Sequence, residues 1–105
     1  MHALPGQGDA LLTLSAAVDK KVAQGEPGML LHTFDRHPND ALTFVWTEVY
    51  ASSRAFEYHL QNPDLNAYLE AAGAITDAFS VELYGTVSPL ALAAMSAAGV
   101  PFEHF

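Results

Sequence analysis

The sequence predicts a single small α+β domain, and three observations support this fold class. The chain has 105 residues, which suits one domain with a modest core. Helical and strand-like patterns follow one another in the order helix, strand, strand, helix, strand, helix. The strands are apolar on both faces, whereas an antiparallel sheet with one solvated face should alternate apolar and polar residues. We therefore expect a second chain to cover one face of the sheet.

A helix and a hairpin are predicted in the first half of the chain. Asp9 is the expected N-cap of the helix, apolar residues then recur at helical spacing, and Gly25 ends it. Residues 29–36 and 42–50 have the composition of strands, and a short connection that contains Pro38 joins them.

The second half predicts two helices, a strand and a last helix. A serine at position 52 or 53 opens a helix that Asn62 and Pro63 interrupt, and Asn62 can cap the helix that follows. Residues 79–87 are a predicted strand, and residues 89–98 form a short Ala-rich helix.

Composition excludes several classes of function. The chain has 12 acidic and 4 basic residues, and the basic ones form no stripe or tail, so nucleic acid is not an expected partner. There is no cysteine, which excludes disulfides and thiolate chemistry. We find no signal peptide and no apolar run of membrane-spanning length, so we expect no membrane association and a cytoplasmic location.

The second predicted strand carries the most suggestive side chains. Phe44, Trp46, Glu48 and Tyr50 alternate onto one face of it. An aromatic stripe of this kind is typical of a core, and it can also line a pocket for a planar ligand. A carboxylate among apolar neighbours needs partners, because an unpaired buried charge is costly. Glu48 is therefore either a structural contact or part of a site.

The order of elements, together with particular residues, points to one family. Helix–strand–strand–helix–strand is a ferredoxin-like βαββαβ unit that lacks its first strand. Over residues 4–87 the chain resembles the antibiotic biosynthesis monooxygenase family, and within it the quinol-monooxygenase-like branch. The resemblance rests on Glu26-Pro27-Gly28, Glu48-Val49-Tyr50, Ala55-Phe56, His59-Leu60-Gln61-Asn62-Pro63 and Ala67-Tyr68.

This resemblance implies a homodimeric α/β barrel in which two sheets pack face to face. It also implies a cavity between each sheet and its helices, and oxygenation of quinol-like or polyketide-derived aromatics without flavin, metal or haem. Leu69 stands where the haem-degrading branch has its axial histidine, so we expect no haem. Only four residues precede Pro5 and Gly6, where the family has its first strand. We expect a misassigned start, a truncated chain, or a sheet completed in another way.

His59 is the candidate catalytic base, because its unperturbed pKa lies near the operating pH and a phenolate loses an electron more easily than a phenol. Glu48 is the candidate residue that orients it. The alternative is a half-buried histidine hydrogen-bonded to Glu48 or to backbone, and we expect His32 and His37 to be structural or exposed. The alternative function is a non-catalytic dimeric barrel that binds a small apolar ligand. The candidate substrate-binding residues are Trp46, Tyr50, Phe44 and Tyr84.

Overall fold

The computed structural model describes residues 1–105 and contains four helices and six short strands. The predicted α+β, ferredoxin-like class is confirmed. The helices are α1 (Gly8–Gly25), α2 (Ser53–Leu60), α3 (Pro63–Gly73) and α4 (Pro89–Ala97). The strands are β1 (His2–Ala3), β2 (Met29–Arg36), β3 (Phe44–Tyr50), β4 (Thr76–Ala78), β5 (Val81–Leu83) and β6 (Phe102–His104).

The main sheet has the strand order β4-β1-β3-β2. Strand β2 pairs antiparallel with β3, and β1 pairs antiparallel with β4. Backbone bonds join β1 to the start of β3, from Ala3 N to Leu42 O (2.7 Å) and from Phe44 N to Met1 O (2.9 Å). The first strand, which we expected to be missing, is thus present as a two-residue strand in the centre of the sheet. Its few hydrogen bonds are enough to connect the hairpin to β4.

Of the strand predicted at residues 79–87, only Val81–Leu83 is a strand, β5, and it does not join the main sheet. The fourth strand of the sheet, β4, begins directly after α3, where the Thr76 hydroxyl still donates to Ala72 O at 2.9 Å. The residues of β5 leave the main sheet and pair in parallel with β6, which the sequence did not predict. Strand β5, helix α4 and strand β6 therefore form a separate C-terminal unit, and α4 packs against α2.

Helix α1 covers the inner face of the sheet. Leu11, Ser15, Val18 and Val22 recur every three or four residues, and all are buried. Phe44 from β3 is fully buried against them, and α3 completes the core with Tyr68 and Ala72. The core therefore lies between the sheet and the pair α1 and α3.

The start of α1 differs from the prediction. The helix begins at Gly8 without a side-chain cap, and Asp9 lies in its first turn, where its carboxylate accepts a bond from Arg36 at 2.8 Å. A Cβ at Gly8 would lie 2.9 Å from Ala41 O, so glycine permits the close approach of the helix to the hairpin. None of the helices is both long and apolar enough to cross a membrane.

The other side of the hairpin, which we call the outer face, has no cover in the chain. Its six residues form three cross-strand pairs: Leu31 with Val49, Thr33 with Thr47, and Asp35 with Val45. All six are exposed. A bulge between Met29 and Leu31 turns Leu30 outward, where it is 64% exposed, while Met29 packs against the core. Three of the six outer-face residues are apolar, so the prediction of strands that are apolar on both faces holds for half of this face.

Candidate functional site

His59 lies in the last turn of α2 and is buried, with 5% of its side chain exposed. Its Nδ1 lies 3.0 Å and 2.9 Å from the two carboxylate oxygens of Glu26, and Asn62 Nδ2 donates to Glu26 Oε2 at 2.8 Å. Because a carboxylate only accepts hydrogen bonds, Nδ1 carries the proton. Glu26 thus fixes both the tautomer and the orientation of the imidazole.

The second ring nitrogen of His59 points towards Glu48. The distance from His59 Nε2 to Glu48 Oε2 is 3.8 Å, too long for a hydrogen bond. The same Glu48 oxygen accepts a bond from the Tyr50 hydroxyl at 2.5 Å. Glu48 therefore faces the free nitrogen of His59, whereas Glu26 has the orienting position that we expected for Glu48. We call Glu26, Glu48, Tyr50, His59 and Asn62 the His59 cluster.

Local structure explains how these side chains meet. Ser52 caps α2 by accepting a bond from Ala55 N at 3.2 Å, which places His59 on the inward side of its last turn. Asn62 caps α3 with its carbonyl oxygen, which accepts from Asp64 N at 2.9 Å, and this leaves its amide free for Glu26. The junction between α2 and α3 is therefore linked to the loop that follows α1.

Glu26 is the residue of the cluster that sequence reasoning missed. It is 3% exposed, although it lies between α1 and a Pro-Gly turn, where charged side chains are usually solvated. The segment Glu26-Pro27-Gly28 contributed to the family resemblance, but we read it only as a turn. Its pairing with His59 joins residues 33 positions apart, and no local pattern encodes such a contact.

Burial, and secondarily the charge of Glu48, raise the pKa of Tyr50 well above its usual range. Burial also raises the pKa of Tyr68, although the Ser15 hydroxyl at 2.8 Å partly opposes this rise. Both phenols are therefore protonated at neutral pH. Tyr50 consequently acts as a hydrogen-bond donor to Glu48.

The predicted aromatic residues contact one another rather than an open pocket. Phe34 stacks on Phe44 with ring centroids 5.0 Å apart, and it lies 4.9 Å from Trp46. Trp46 in turn lies 5.5 Å from Tyr68. The indole Nε1 of Trp46 is buried and donates no hydrogen bond within the chain.

Tyr84 lies apart from the other candidate residues. It follows β5, is 68% exposed and stacks on Phe105 with centroids 5.2 Å apart. The structure thus brings Phe44, Trp46, Glu48, Tyr50 and His59 to one face of the sheet, and it does not bring Tyr84 there. His37 is exposed, as we expected, and accepts a bond from Asn39 N at 3.0 Å.

A cavity with a volume of about 450 Å³ opens next to the His59 cluster. It lies between residues 25–29 and the start of α2, and Arg54 and Tyr58 contribute to its wall. This volume is in the range of small-ligand sites. Glu26 is one of the residues around this cavity, and its buried carboxylate accepts a hydrogen bond from His59. No group of three or more His, Asp or Glu side chains has a metal-binding arrangement.

Comparison with known proteins gives a consistent result. The sequence profile of the antibiotic biosynthesis monooxygenase family matches residues 1–71. A candidate antibiotic biosynthesis monooxygenase from Bacteriodes thetaiotaomicron superposes with a TM-score of 0.69 at 17% identity, over 74% of each chain. No curated protein matches.

Two further solved structures are similar. An antibiotic biosynthesis monooxygenase gives a TM-score of 0.67 at 19% identity, over 74% of this chain and 81% of that one. A candidate antibiotic biosynthesis monooxygenase from Chloroflexus aurantiacus gives 0.61 at 28% identity, over 74% of this chain and 76% of that one. Residues after position 71, which include the whole C-terminal unit, lie outside the family profile.

Proposed function

The chain belongs to the antibiotic biosynthesis monooxygenase family, and from this premise we propose that it is a cofactor-independent monooxygenase of quinol-like or polyketide-like aromatics. The observation that supports the proposal best is His59, a buried imidazole whose Nδ1 is held by Glu26. Its Nε2 has no hydrogen bond and can accept a proton. Such a held imidazole with one free nitrogen is the arrangement that a general base requires.

The proposed reaction needs only a base, a reduced aromatic and molecular oxygen. His59 Nε2 takes the phenolic proton, and the phenolate passes one electron to O₂. The resulting radical and superoxide combine to form a C–O bond and, after protonation, a hydroperoxide. Loss of the ring proton with cleavage of the O–O bond then releases water. One oxygen atom enters the product, the other leaves as water, and the substrate supplies all four electrons.

Residues on the same face of the sheet as His59 suit the binding of such a substrate, and the ring of Tyr50 lies 5.5 Å from the imidazole. Trp46 Nε1 offers a free donor to a quinol oxygen, while the rings of Phe44 and Tyr50 supply apolar walls. Tyr50 stays protonated and bonds Glu48, which keeps this carboxylate close to His59. We propose these three aromatic residues as substrate-binding groups. Tyr84 remains a prediction, because its side chain lies elsewhere.

We also propose that the protein acts as a homodimer in the cytoplasm, and that the outer face of the hairpin is the contact. Leu31, Val45 and Val49 are 47%, 55% and 46% exposed there. Apolar side chains in two of the three cross-strand pairs of this face favour cover by a second sheet.

A second candidate function is a non-catalytic dimeric barrel that binds a small apolar ligand. The close contacts of Phe34, Phe44 and Trp46 favour it, because they leave little open volume on the inner face. A fold of this kind is compatible with many functions. This candidate needs no proton transfer at His59, which gives a way to separate it from the first.

Oxygen uptake with a panel of reduced quinones and anthrones tests the proposal. We expect uptake by the wild type and a loss of about 100-fold or more in kcat for His59→Gln, since general bases contribute about 10²–10⁴-fold. His37→Gln is the matched control, because His37 is exposed on the hairpin connection. Undiminished uptake by a folded His59→Gln protein would reject the base. Tight ligand binding without any uptake would favour the second candidate.

A further inference from the structure

Helix α2, which carries His59, lies between the main sheet and the C-terminal unit. On its inner side the ring of Phe56 lies 5.1 Å from that of Tyr50, and His59 bonds Glu26. On its outer side α4 packs against it, and Ala91 of α4 is fully buried. A helix of eight residues is too short to be stable by itself, so the position of α2 depends on these neighbours.

Two serines join the outer side of α2 to the start of α4. The Ser53 hydroxyl donates to Thr86 O at 3.0 Å and accepts from Ser88 N at 3.0 Å. The Ser88 hydroxyl donates to Glu57 Oε1 at 2.5 Å and accepts from Ala91 N at 3.1 Å, which caps α4. Each hydroxyl therefore donates one hydrogen bond and accepts another. We call Ser53, Glu57 and Ser88 the α2–α4 link.

The link determines which way α2 is turned about its axis. Ser53 and Glu57 are one helical turn apart on the outer side, so the helix is bonded to the C-terminal unit at two points. His59 follows Glu57 by two residues, and side chains two residues apart project about 200° apart around a helix. A bond that holds Glu57 outwards therefore keeps His59 turned inwards, where its Nε2 lies 3.8 Å from Glu48.

The C-terminal unit that provides this contact lies outside the family profile, which ends at residue 71. The His59 cluster contains no residue of the unit. The unit can thus act on the imidazole only through the position of α2. The link adds a contact to the helix of the candidate base that the profile does not describe.

We propose that the C-terminal unit holds α2 where His59 can take a proton from the substrate, and that Ser53, Glu57 and Ser88 are positioning residues for this base. None of the three touches the substrate in this scheme. A general base must lie within hydrogen-bond reach of the proton that it takes, and a displacement of about 1 Å can lower a rate about 100-fold. The proposal rests on the proposed function, since it assigns the position of α2 a catalytic consequence.

Glu57→Ala tests the link in turnover, because it removes the bond between the helices and leaves Ser88 to cap α4. We expect kcat to fall by about tenfold while KM changes by less than about twofold. Glu57→Gln should keep most of the activity, since its amide oxygen still accepts from Ser88. Glu70→Ala, which removes an exposed carboxylate from α3, is the matched control and should be unchanged. An unchanged kcat in folded Glu57→Ala would overturn the proposal.

A double variant shows whether the two side chains act through one bond. Ser88→Ala removes both the bond to Glu57 and the cap of α4. Adding Glu57→Ala to it should lower kcat no further, because the shared bond is already absent. Losses that multiply in the double variant would contradict a shared bond and overturn the proposal.

A second measurement does not depend on catalysis. In ¹⁵N-labelled protein without substrate, Glu57→Ala should make the amides of residues 57–60 exchange about fivefold or more faster, with those of α1 unchanged. The imidazole signals of His59 should shift as well, since its contact with Glu26 depends on the position of α2. Unchanged exchange and signals, or equal acceleration in α1 and α2, would overturn the proposal. The expected changes in a protein that oxygenates nothing would reject the proposed function and leave the link between the C-terminal unit and His59 standing.

Discussion

Glu26 shows how one residue can determine the geometry of a buried cluster. Its carboxylate accepts hydrogen bonds from His59 and from Asn62, which lie at the end of α2 and the start of α3. Without Glu26, the buried donor of His59 and the partly buried donor of Asn62 would lose their acceptor, and an unsatisfied buried donor costs about 1–3 kcal/mol. The residue therefore links the orientation of the imidazole to the stability of the helix junction.

We expect Glu26→Ala to lower the free energy of unfolding by about 2–4 kcal/mol, because one buried and one partly buried donor lose their acceptor. Glu26→Gln should cost less, since its amide oxygen still accepts one bond. Urea unfolding followed by circular dichroism measures both. Glu70→Ala is the matched control, because Glu70 is exposed on α3, and a surface change of this kind stays within about 0.5 kcal/mol. Equal midpoints for Glu26→Ala and the control would contradict this role.

Tyr50 gives the molecule a predictable loss of stability at high pH. Burial and Glu48 raise its pKa above the ordinary 10.0, so the folded state keeps a proton that the unfolded state releases. Below pH 10 Tyr50 is protonated in both states, so it does not make the free energy of unfolding depend on pH. Above pH 10 only the folded state keeps this proton, and the free energy of unfolding falls by about 1.4 kcal/mol per pH unit. Tyr50→Phe has no such proton, so its stability should fall less steeply. Urea unfolding between about pH 8 and pH 11 compares the two slopes.

Parallel curves for the wild type and Tyr50→Phe would mean that Tyr50 ionises equally in both states. Tyr68 also has a raised pKa, but it is present in both proteins and cancels in the comparison. At neutral pH the variant should be less stable, because Glu48 loses the donor at 2.5 Å.

At the scale of elements, the close approach of the turn before β2 to α2 determines where Glu26 lies. A Cβ at Gly28 would lie 2.6 Å from Ala55 Cβ, which is nearer than two carbon atoms can approach. Gly28 thus allows the start of β2 to lie directly against α2. The Glu26 side chain, two residues earlier, is held at the end of the same helix.

We expect Gly28→Ala to destabilise the fold by about 1–3 kcal/mol, because the added methyl group overpacks this contact. Combining it with Ala55→Gly should restore part of the loss, since the opposing methyl group is then absent. Gly73→Ala is the control: a Cβ there meets nothing within 4 Å, and the residue ends α3. The control should be neutral or stabilising by about 0.5–1 kcal/mol. Thermal unfolding of the four proteins distinguishes these outcomes.

At the scale of the whole molecule, the sequence predicted what local patterns encode. Strand β2 lies at the predicted residues 29–36, and the helices at 53–60, 63–73 and 89–97 are within one or two residues of their predictions. The errors arose where partners are distant in sequence. The β5–β6 pair joins residues about twenty positions apart, and the contact of Glu26 with His59 spans 33. Such pairings depend on the assembled fold, and single-sequence periodicity carries no record of them.

The outer face is where the molecule as a whole remains incomplete. Three apolar side chains at cross-strand positions, Leu31, Val45 and Val49, are about half exposed, and nothing in the chain covers them. If two sheets pack through this face, the protein should sediment at twice the 11.2 kDa mass of one chain. Val49→Lys would place a charge in the contact, and in a two-fold dimer the change occurs twice. We therefore expect this variant to sediment as a monomer.

The control is Leu12→Lys, which changes an apolar residue that is 41% exposed on α1, away from the outer face. It should remain dimeric. Dissociation of both variants would point to general destabilisation, and dissociation of Leu12→Lys alone would place the contact on the helical side. A Val49→Lys protein that stays dimeric would reject the sheet-to-sheet contact. If Val49→Lys is monomeric and folded, its oxygen uptake also shows whether the His59 cluster works within one chain, because all of its residues come from a single protomer.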